Sequence, residues 1–257
     1  MGRKSGQSKN ANRKNKAPKE EKELLETVDS LLRLTTLPLH NNLTQSLDCQ
    51  KKISSLIERI RLLEDKLSKK SGRASTNNNS TERSRIDPET VKNFTKWIQE
   101  NGGELQGCSI SSFAGYDVGL RVEQEIPQSS LVIAVPRKVM MSVETASNSI
   151  LKDIVNKVEI LKNMPNVLLA VYLLVEKFTP NSFWKPYLDI LPKSYNTVLY
   201  YSYSELEELK GSPTLEVALR QIKSIVRQYA YFHKLFWNSD DTISELMKDK
   251  FSFAEYW

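Results

Sequence analysis

Cysteine and histidine are scarce in this sequence, which has two residues of each type among 257. Two cysteines, Cys49 and Cys108, cannot build a disulfide framework or a metal cage, and neither lies next to His40 or His233. We therefore expect free thiols, no metal site and a reducing compartment. This places the protein in the cytoplasm, with the nucleus as the alternative.

Long apolar runs and the common catalytic motifs are also missing. No window approaches the ~20 apolar residues of a membrane helix, and the charged N-terminus is not followed by the apolar segment of a signal peptide. The motifs HExxH, GxxxxGK[ST], GxSxG and CxxC do not occur. Membrane proteins and the common hydrolase and metal-site classes therefore lack support, and no motif identifies a catalytic residue.

Positive charge is abundant, but it is concentrated at the N-terminus. The chain has 37 basic and 31 acidic residues, a net charge of +6. The excess corresponds to the basic residues that precede the first acidic residue, Glu20: Arg3, Lys4, Lys9, Arg13, Lys14, Lys16 and Lys19. Such a polar segment predicts a disordered basic tail at residues 1–19. The alternative is a targeting role or contact with nucleic acid.

Two amphipathic helices are expected at residues 20–67. Leucines recur through Glu20–Leu34, and Pro38 ends that pattern. In the second helix Ile53, Ile60, Leu67 and the apolar residues between them recur at steps of three and four. This stripe could form a short coiled coil, but it spans few heptads, so packing within its own chain is favoured. Residues 68–85 read as a Ser/Asn-rich linker.

A change of hydrophobic period predicts a small, mostly antiparallel β unit at 105–143 after one helix, within a segment at 86–144. Asp87-Pro88 marks the start of that helix, and Gly102-Gly103 marks its end. The strands expected from β-branched residues between turn signals are Leu105–Phe113, Val118–Val122, Leu131–Val135 and Val139–Val143.

The rest of the chain, residues 145–257, is expected to be helical. Within it, Thr179–Pro192 concentrates large aromatic residues between three prolines. Because each proline restricts its own φ and the residue before it, we expect a short helix between two corners. His233 lies on the apolar face of a long helix that begins after Ser212, where a hydrogen-bonded core residue is more common than a ligand.

One glycine-bearing turn, Gly115–Leu120, joins two expected strands, so its backbone could face a small molecule. Alone this signal is weak, because most such turns are simple hairpins.

Several segments taken together resemble the SET-domain methyltransferases of the Rubisco large-subunit methyltransferase branch. They are Phe113-x5-Gly119-Leu120-Arg121, Leu131–Lys138, Ser182–Leu188 and Leu191-Pro192. Within that branch, three segments are similar to the SET-type actin-histidine N-methyltransferases: Lys96-Trp97 with Glu100–Gly102, Pro180–Trp184 and Arg227–Lys234. The resemblance runs from about Trp97 to Trp257.

The resemblance implies an α+β fold: a partial SET domain whose small antiparallel β unit carries a large α-helical insertion at 145–257. It implies S-adenosylmethionine as cofactor, bound by Arg85 and by the turn residues Tyr116, Asp117, Val118 and Gly119. The family usually has glutamate, glycine and an aromatic at the first three turn positions. Asp117 in place of glycine is tolerable because Asp visits the left-handed region more readily than most residues.

The same resemblance implies a substrate groove that uses Asn166 and the pair Arg227 and Gln228. It also implies that this sequence stops before the family's Asn-His dipeptide and channel tyrosine, because its ending, Phe251–Trp257, is similar to an interior segment. The sequence is thus expected to be the N-terminal part of a longer enzyme, and as written it would lack a complete site.

The resemblance implies methyl transfer to a histidine of actin. Imidazole is largely neutral near pH 7, so one ring nitrogen is free to attack. A lysine substrate must first lose a proton. Two alternatives stay open: a SET protein-lysine methyltransferase, and an inactive form that binds partner proteins.

Overall fold

The computed structural model describes residues 19–38, 42–70, 87–192 and 195–257. The elements in these residues are α1 Lys19–Thr36, α2 Leu43–Lys70, α3 Pro88–Glu100, β1 Glu104–Leu105, β2 Cys108–Phe113, β3 Asp117–Val122, β4 Ile133–Ala134, α4 Val143–Ser147, α5 Lys152–Lys157, α6 Glu159–Asn163, α7 Pro165–Phe178, α8 Lys185–Ile190, α9 Tyr203–Glu208, α10 Pro213–Asn238, α11 Thr242–Lys248 and α12 Phe253–Tyr256. A small antiparallel β part with a larger helical part confirms the predicted α+β class.

Helices α1 and α2 form an antiparallel pair. The Lys70 ammonium donates to the Glu20 carboxylate at 2.6 Å, so the start of α1 lies beside the end of α2. A second ion pair joins Glu23 to Arg59. Both helices lie where the hydrophobic period predicts them, although α2 continues to Lys70. Residues 1–18 of the tail expected at 1–19, and residues 71–85 of the linker expected at 68–85, lie outside the described residues. The rest of both segments is helical, since Lys19 begins α1 and residues 68–70 end α2.

This helical pair packs against the long helix α10. The Lys234 ammonium lies 2.5 Å from the Asp29 carboxylate. Lys223 is buried, and its ammonium donates to the carbonyls of Leu37 at 2.7 Å and Pro38 at 3.2 Å, at the end of α1. The apolar stripe of α2 is buried in the same core, so it packs within the chain as predicted. The fully or nearly fully buried residues of the pair are Leu24, Val28, Leu31, Leu47, Ile53, Ile60 and Leu63.

The β part consists of two separate two-stranded antiparallel sheets among the described residues. Strands β2 and β3 form a hairpin in which Ser111 faces Gly119 and Phe113 faces Asp117. Strands β1 and β4 pair over two residues each, with Glu104 opposite Ala134. The sequence is right about the antiparallel pairing and about the positions of β2 and β3.

Three of the expected strands differ from the structure. The expected strand Leu131–Val135 is reduced to the two residues of β4, Ile133–Ala134. The expected strand Leu105–Phe113 is broken at Gly107, whose φ of +67° belongs to the left-handed region that glycine adopts easily. The expected strand Val139–Val143 is wrong. A 3₁₀ turn at Arg137–Val139 follows Pro136, and Val143 begins α4. The physical reason is the Ser142 cap, whose hydroxyl accepts from the Thr145 N–H while the Thr145 hydroxyl accepts from the Ser142 N–H.

The helical part is built around α7 and α10, whose apolar residues are buried in one core. Val171 and Val175 of α7 and Val226 and Tyr229 of α10 have no exposed surface. Helix α7 has 14 residues and is apolar on most sides, which explains its central position. None of the described helices is both long and apolar enough to cross a membrane.

The aromatic corner Thr179–Pro192 contains the short helix α8, as its prolines predict. The buried Trp184 indole N–H donates to the Tyr172 hydroxyl of α7 at 2.8 Å. The Trp184 ring also lies 5.9 Å from the Trp97 ring of α3, centre to centre. This corner therefore joins α3, which precedes the β part, to the helical core.

Candidate functional site

The turn that the resemblance assigns to the cofactor lies at the tip of the β2–β3 hairpin. Gly115 has a φ of +80°, and no atom lies within 4 Å of the position that a Cβ would take there. The Tyr116 N–H donates to the Phe113 carbonyl at 3.0 Å and closes the turn. The Tyr116 side chain is 85% exposed. The tip is therefore an open backbone corner that another molecule can approach.

Gly119 has a packing role in this hairpin. A Cβ at Gly119 would lie 3.0 Å from the nearest atom of the Phe113 ring. The absence of a side chain thus lets the Phe113 ring lie across β3. Val118 and Gly119 are half-buried, whereas the ring of Phe113 is partly exposed.

The remaining two residues assigned to the cofactor are not described in full. Arg85 lies outside the described residues, and the same holds for the side chain of Asp117. For the turn as a whole, an open backbone corner fits one wall of a small-molecule site. Because Tyr116 is largely exposed, no other described part of the chain covers this corner.

Asn166 and Arg227, two residues assigned to the substrate groove, have exposed side chains. Asn166 follows Pro165 in the first turn of α7. Arg227 lies in the middle of α10, on the side away from the core residue Val226. Both side chains are thus available to a binding partner.

Gln228, the third assigned groove residue, is half-buried, and both the nitrogen and the oxygen of its side-chain amide are hydrogen-bonded. Its Nε2 donates to the Ser224 hydroxyl at 3.3 Å, and its Oε1 accepts from the Tyr256 hydroxyl at 3.1 Å. Among the described residues, no hydrogen bond links the 116–119 turn to Asn166, Arg227 or Gln228. The assigned site residues therefore stay predictions, since no described hydrogen bond connects the turn to the groove residues.

The sequence pattern alone did not predict a polar junction at Glu64 of α2, a half-buried residue. The Glu64 carboxylate accepts from the Tyr229 hydroxyl of α10 at 2.7 Å. It also accepts from the backbone N–H of Phe253 at 3.1 and 3.2 Å through its two oxygens. Burial raises the pKa of Glu64 to about 7, although both hydrogen bonds lower it.

A sequence signal for this junction exists. Glu64 falls four residues after Ile60 and three before Leu67, on the apolar stripe of α2. An ionisable residue at a core position of an amphipathic helix predicts a buried polar contact. The partners could not be named in this way, because Tyr229 and Phe253 are more than 160 residues away in sequence.

His233 lies in the core, as predicted, but it differs from the expected hydrogen-bonded residue. Its ring stacks on Trp237 with a 5° interplanar angle, and its Nδ1 has no hydrogen-bond partner in the described part of the chain. Burial lowers the pKa of His233 to about 4, so the ring is neutral at pH 7. No group of three or more potential metal ligands occurs in the described residues.

Known proteins resemble this chain in sequence over part of their length. The actin-histidine N-methyltransferase of Gallus gallus is 38% identical over 161 residues, which cover 63% of this chain and 27% of that protein. The actin-histidine N-methyltransferase of Homo sapiens is 37% identical with the same coverage. The chain thus spans about a quarter of the length of these curated relatives. No family model matches the sequence.

Solved structures resemble the fold. A structure of Rubisco LSMT bound to sinefungin and monomethyllysine superimposes with a TM-score of 0.57 at 21% identity, covering 66% of this chain and 38% of that one. A SET domain of LSMT bound to lysine and AdoHcy gives a TM-score of 0.56 at 21% identity. This protein therefore shares part of the SET-domain methyltransferase fold, and its sequence is similar to that of the actin-histidine N-methyltransferases.

Proposed function

We propose that the protein to which this chain belongs is an S-adenosylmethionine-dependent protein methyltransferase that modifies a histidine side chain of actin. The similarity to actin-histidine N-methyltransferases over 161 residues is the observation that carries this proposal. The SET-type fold of the same chain supports it independently of the sequence identity.

We propose that the β2–β3 turn holds part of the cofactor. Its tip, at Gly115 and the exposed Tyr116, lies beside open space and leads directly into Asp117, Val118 and Gly119 of β3. S-adenosylmethionine supplies the methyl group when it is bound. Polypeptide outside the described residues completes the site in this proposal, because no other described part of the chain covers the tip of the turn.

The helical part serves the protein substrate in this proposal. Asn166 and Arg227 offer an exposed amide and an exposed guanidinium, which can accept and donate hydrogen bonds to an extended peptide. Gln228 offers an amide whose orientation Ser224 and Tyr256 already fix. A fixed amide can select one imidazole tautomer, which methyl transfer to a single ring nitrogen requires.

The direct test is a methylation assay with the longest protein that contains this chain. Purified actin and S-adenosylmethionine with a labelled methyl group are incubated with the protein, and mass spectrometry locates the modified residue. We expect a single methyl group on one histidine. Actin in which that histidine is replaced by alanine should lose the label and serves as the matched control.

A lysine substrate is the second candidate. It is favoured by one observation, since the structural neighbour is described as bound to monomethyllysine. Label on actin lysines, or on another protein's lysines with actin histidines unmodified, would replace the first proposal by this one. The two chemistries also separate by pH, because an amine must lose its proton before attack whereas imidazole is neutral near pH 7.

A binding role without catalysis is the third candidate, and the open cofactor turn favours it. In that case neither histidine nor lysine is labelled, while the protein still binds actin in a sedimentation assay.

A cytoplasmic location follows from an actin substrate and belongs to the same proposal, as does a nuclear fraction. Contact of residues 1–19 with nucleic acid is a further proposal, which a filter-binding assay with and without those residues would test.

A further inference from the structure

Three elements that are distant in sequence meet at the Glu64 carboxylate. It lies on α2, accepts the Tyr229 hydroxyl of α10, and accepts the Phe253 N–H at the start of α12. The Arg61 guanidinium lies over the Phe253 ring, 5.0 Å from its centre. The junction thus fixes the first residue of α12 to the N-terminal helical pair.

Helix α12 depends on such contacts for its position. It has four residues, too few to be stable alone. Its other polar contacts reach different elements: Glu255 pairs with Lys177 of α7, and Tyr256 donates to Gln228 of α10. Of the α12 contacts described, the Glu64 junction is the one in which a half-buried carboxyl group accepts a backbone N–H of α12.

The charge of Glu64 is poorly compensated. On its own helix Arg61 favours the ionised form and Asp65 opposes it. Helix α10 presents the uncharged Tyr229, with neutral His233 beside it. Helix α12 presents the Phe253 N–H, while its titratable residues engage other partners: Glu255 contacts Lys177, and Tyr256 contacts Gln228.

We propose that Glu64 is a proton-sensitive latch that seats α12 on the N-terminal helical pair when its carboxyl is neutral and loosens α12 when it is ionised. A neutral carboxyl still accepts the Phe253 N–H with one oxygen and donates its O–H to the Tyr229 oxygen. An ionised carboxyl keeps its acceptors but carries a charge that burial disfavours. Opening of α12 relieves this cost by exposing the carboxylate to water.

The latch has a direct structural consequence. Loosening α12 withdraws Tyr256 from Gln228 and uncovers the rings of Phe251 and Phe253, which pack on Tyr229. The middle of α10 is thereby changed together with α12. The sign is fixed by the raised pKa of Glu64: seating is strongest below about 4.5 and weakens as the pH rises through about 7.

Hydrogen exchange of the α12 amides tests the latch in the intact chain. The Phe253 N–H is the direct reporter, because it donates to Glu64. After correction for the intrinsic exchange rate, we expect its protection to fall at least about tenfold between pH 5 and pH 8. Glu64→Gln, which can accept from Phe253 and donate to Tyr229 as the neutral acid does, should remove this pH dependence.

Two further variants sharpen the test. Tyr229→Phe removes a donor that favours the ionised carboxyl, so the midpoint of the pH dependence should move to higher pH. Glu255→Gln removes the exposed ion pair with Lys177 and leaves Glu64 intact, so the wild-type pH dependence should persist. If Glu64→Gln fails to fold, the Tyr229→Phe shift still decides the question.

Three results would overturn the latch. They are constant protection of the Phe253 amide from pH 5 to pH 8, an unchanged pH dependence in Glu64→Gln, and loss of that dependence in Glu255→Gln. None of these measurements requires methyl transfer. The latch and the proposed methyltransferase activity can therefore fail independently.

Discussion

At the scale of single residues, the buried His233 and the half-buried Glu64 oppose each other in their response to pH. His233 has a pKa lowered to about 4 by burial, and Glu64 has a pKa raised to about 7 by burial. Each prefers its neutral form in the folded chain. The free energy of unfolding should therefore fall on acidification because of His233, and fall as the pH rises because of Glu64.

His233→Phe should reduce sensitivity to acid. In the wild type the folded pKa of His233 lies below its ordinary value of 6.5, so the unfolded chain takes up a proton first as the pH falls from 6.5 towards 4. This costs at most about 3 kcal/mol near pH 4. Urea unfolding at pH 7 and pH 4.5 measures the loss, which should be smaller in the variant. An equal loss in both proteins would contradict a buried neutral histidine.

Gly103 is a residue at which a side chain meets fixed neighbours. It is buried where α3 leads into β1, and a Cβ there would lie 2.2 Å from Ile98 Cγ2 and 3.1 Å from the Ile98 carbonyl oxygen. Gly103→Ala should therefore destabilise the chain by about 2 kcal/mol or more. Gly211→Ala is the matched control, since it meets only the strain of a φ of +92°, about 1 kcal/mol. Thermal unfolding of both variants gives the comparison, and an equal cost would exclude the steric explanation.

At the scale of elements, the corner Thr179–Pro192 shows how prolines and aromatic residues cooperate. The prolines limit α8 to six residues. The short helix directs Trp184 towards Tyr172 of α7 and Trp97 of α3. The corner is thus a link between two parts of the fold.

Tyr172→Phe should weaken this link while preserving its packing. The variant leaves the buried indole N–H of Trp184 without its acceptor, which costs about 1–3 kcal/mol. Denaturant unfolding followed by tryptophan fluorescence measures the loss. Tyr201→Phe, at an exposed tyrosine, is the control and should be neutral. A loss of the same size in the control would assign the effect to something other than this hydrogen bond.

At the scale of the whole molecule, the β part is thin and open. Both of its described sheets have two strands, and such sheets are marginally stable alone. Apolar residues on these sheets are exposed, among them Leu120, Val122 and Ile133, and so is Leu131 just before β4. The helical part, in contrast, has a continuous core.

Because the β part is open while only the helical part has a continuous core, we predict that the 257-residue chain by itself binds S-adenosylmethionine weakly or not at all. No other described part of the chain covers the tip of the turn at Tyr116, so a ligand bound there would stay largely in water. Titration calorimetry on the chain should show no binding in the micromolar range, whereas the longest protein containing it should bind. Tight binding by the chain alone would contradict an incomplete site.

The sequence predicted local structure well where hydrophobic period and turn chemistry agree. Helices α1, α2 and α10, the hairpin β2–β3 and the short α8 all follow from residues close together along the chain. The expected strand Val139–Val143 is wrong because the Ser142 cap outweighs β-branched composition. The resemblance to the SET-domain branch was also readable, since it depends on short segments in a fixed order.

Tertiary structure alone decided which distant groups meet. Nothing in the local pattern pairs Glu64 with Tyr229 and Phe253, or Lys223 with the carbonyls that end α1. Such contacts depend on how helices of different segments pack, and their energies come from burial that no short stretch of sequence contains. The sequence by itself therefore determined the elements and the family resemblance, while the packing of α1, α2 and α12 on α10 determined where charge is buried.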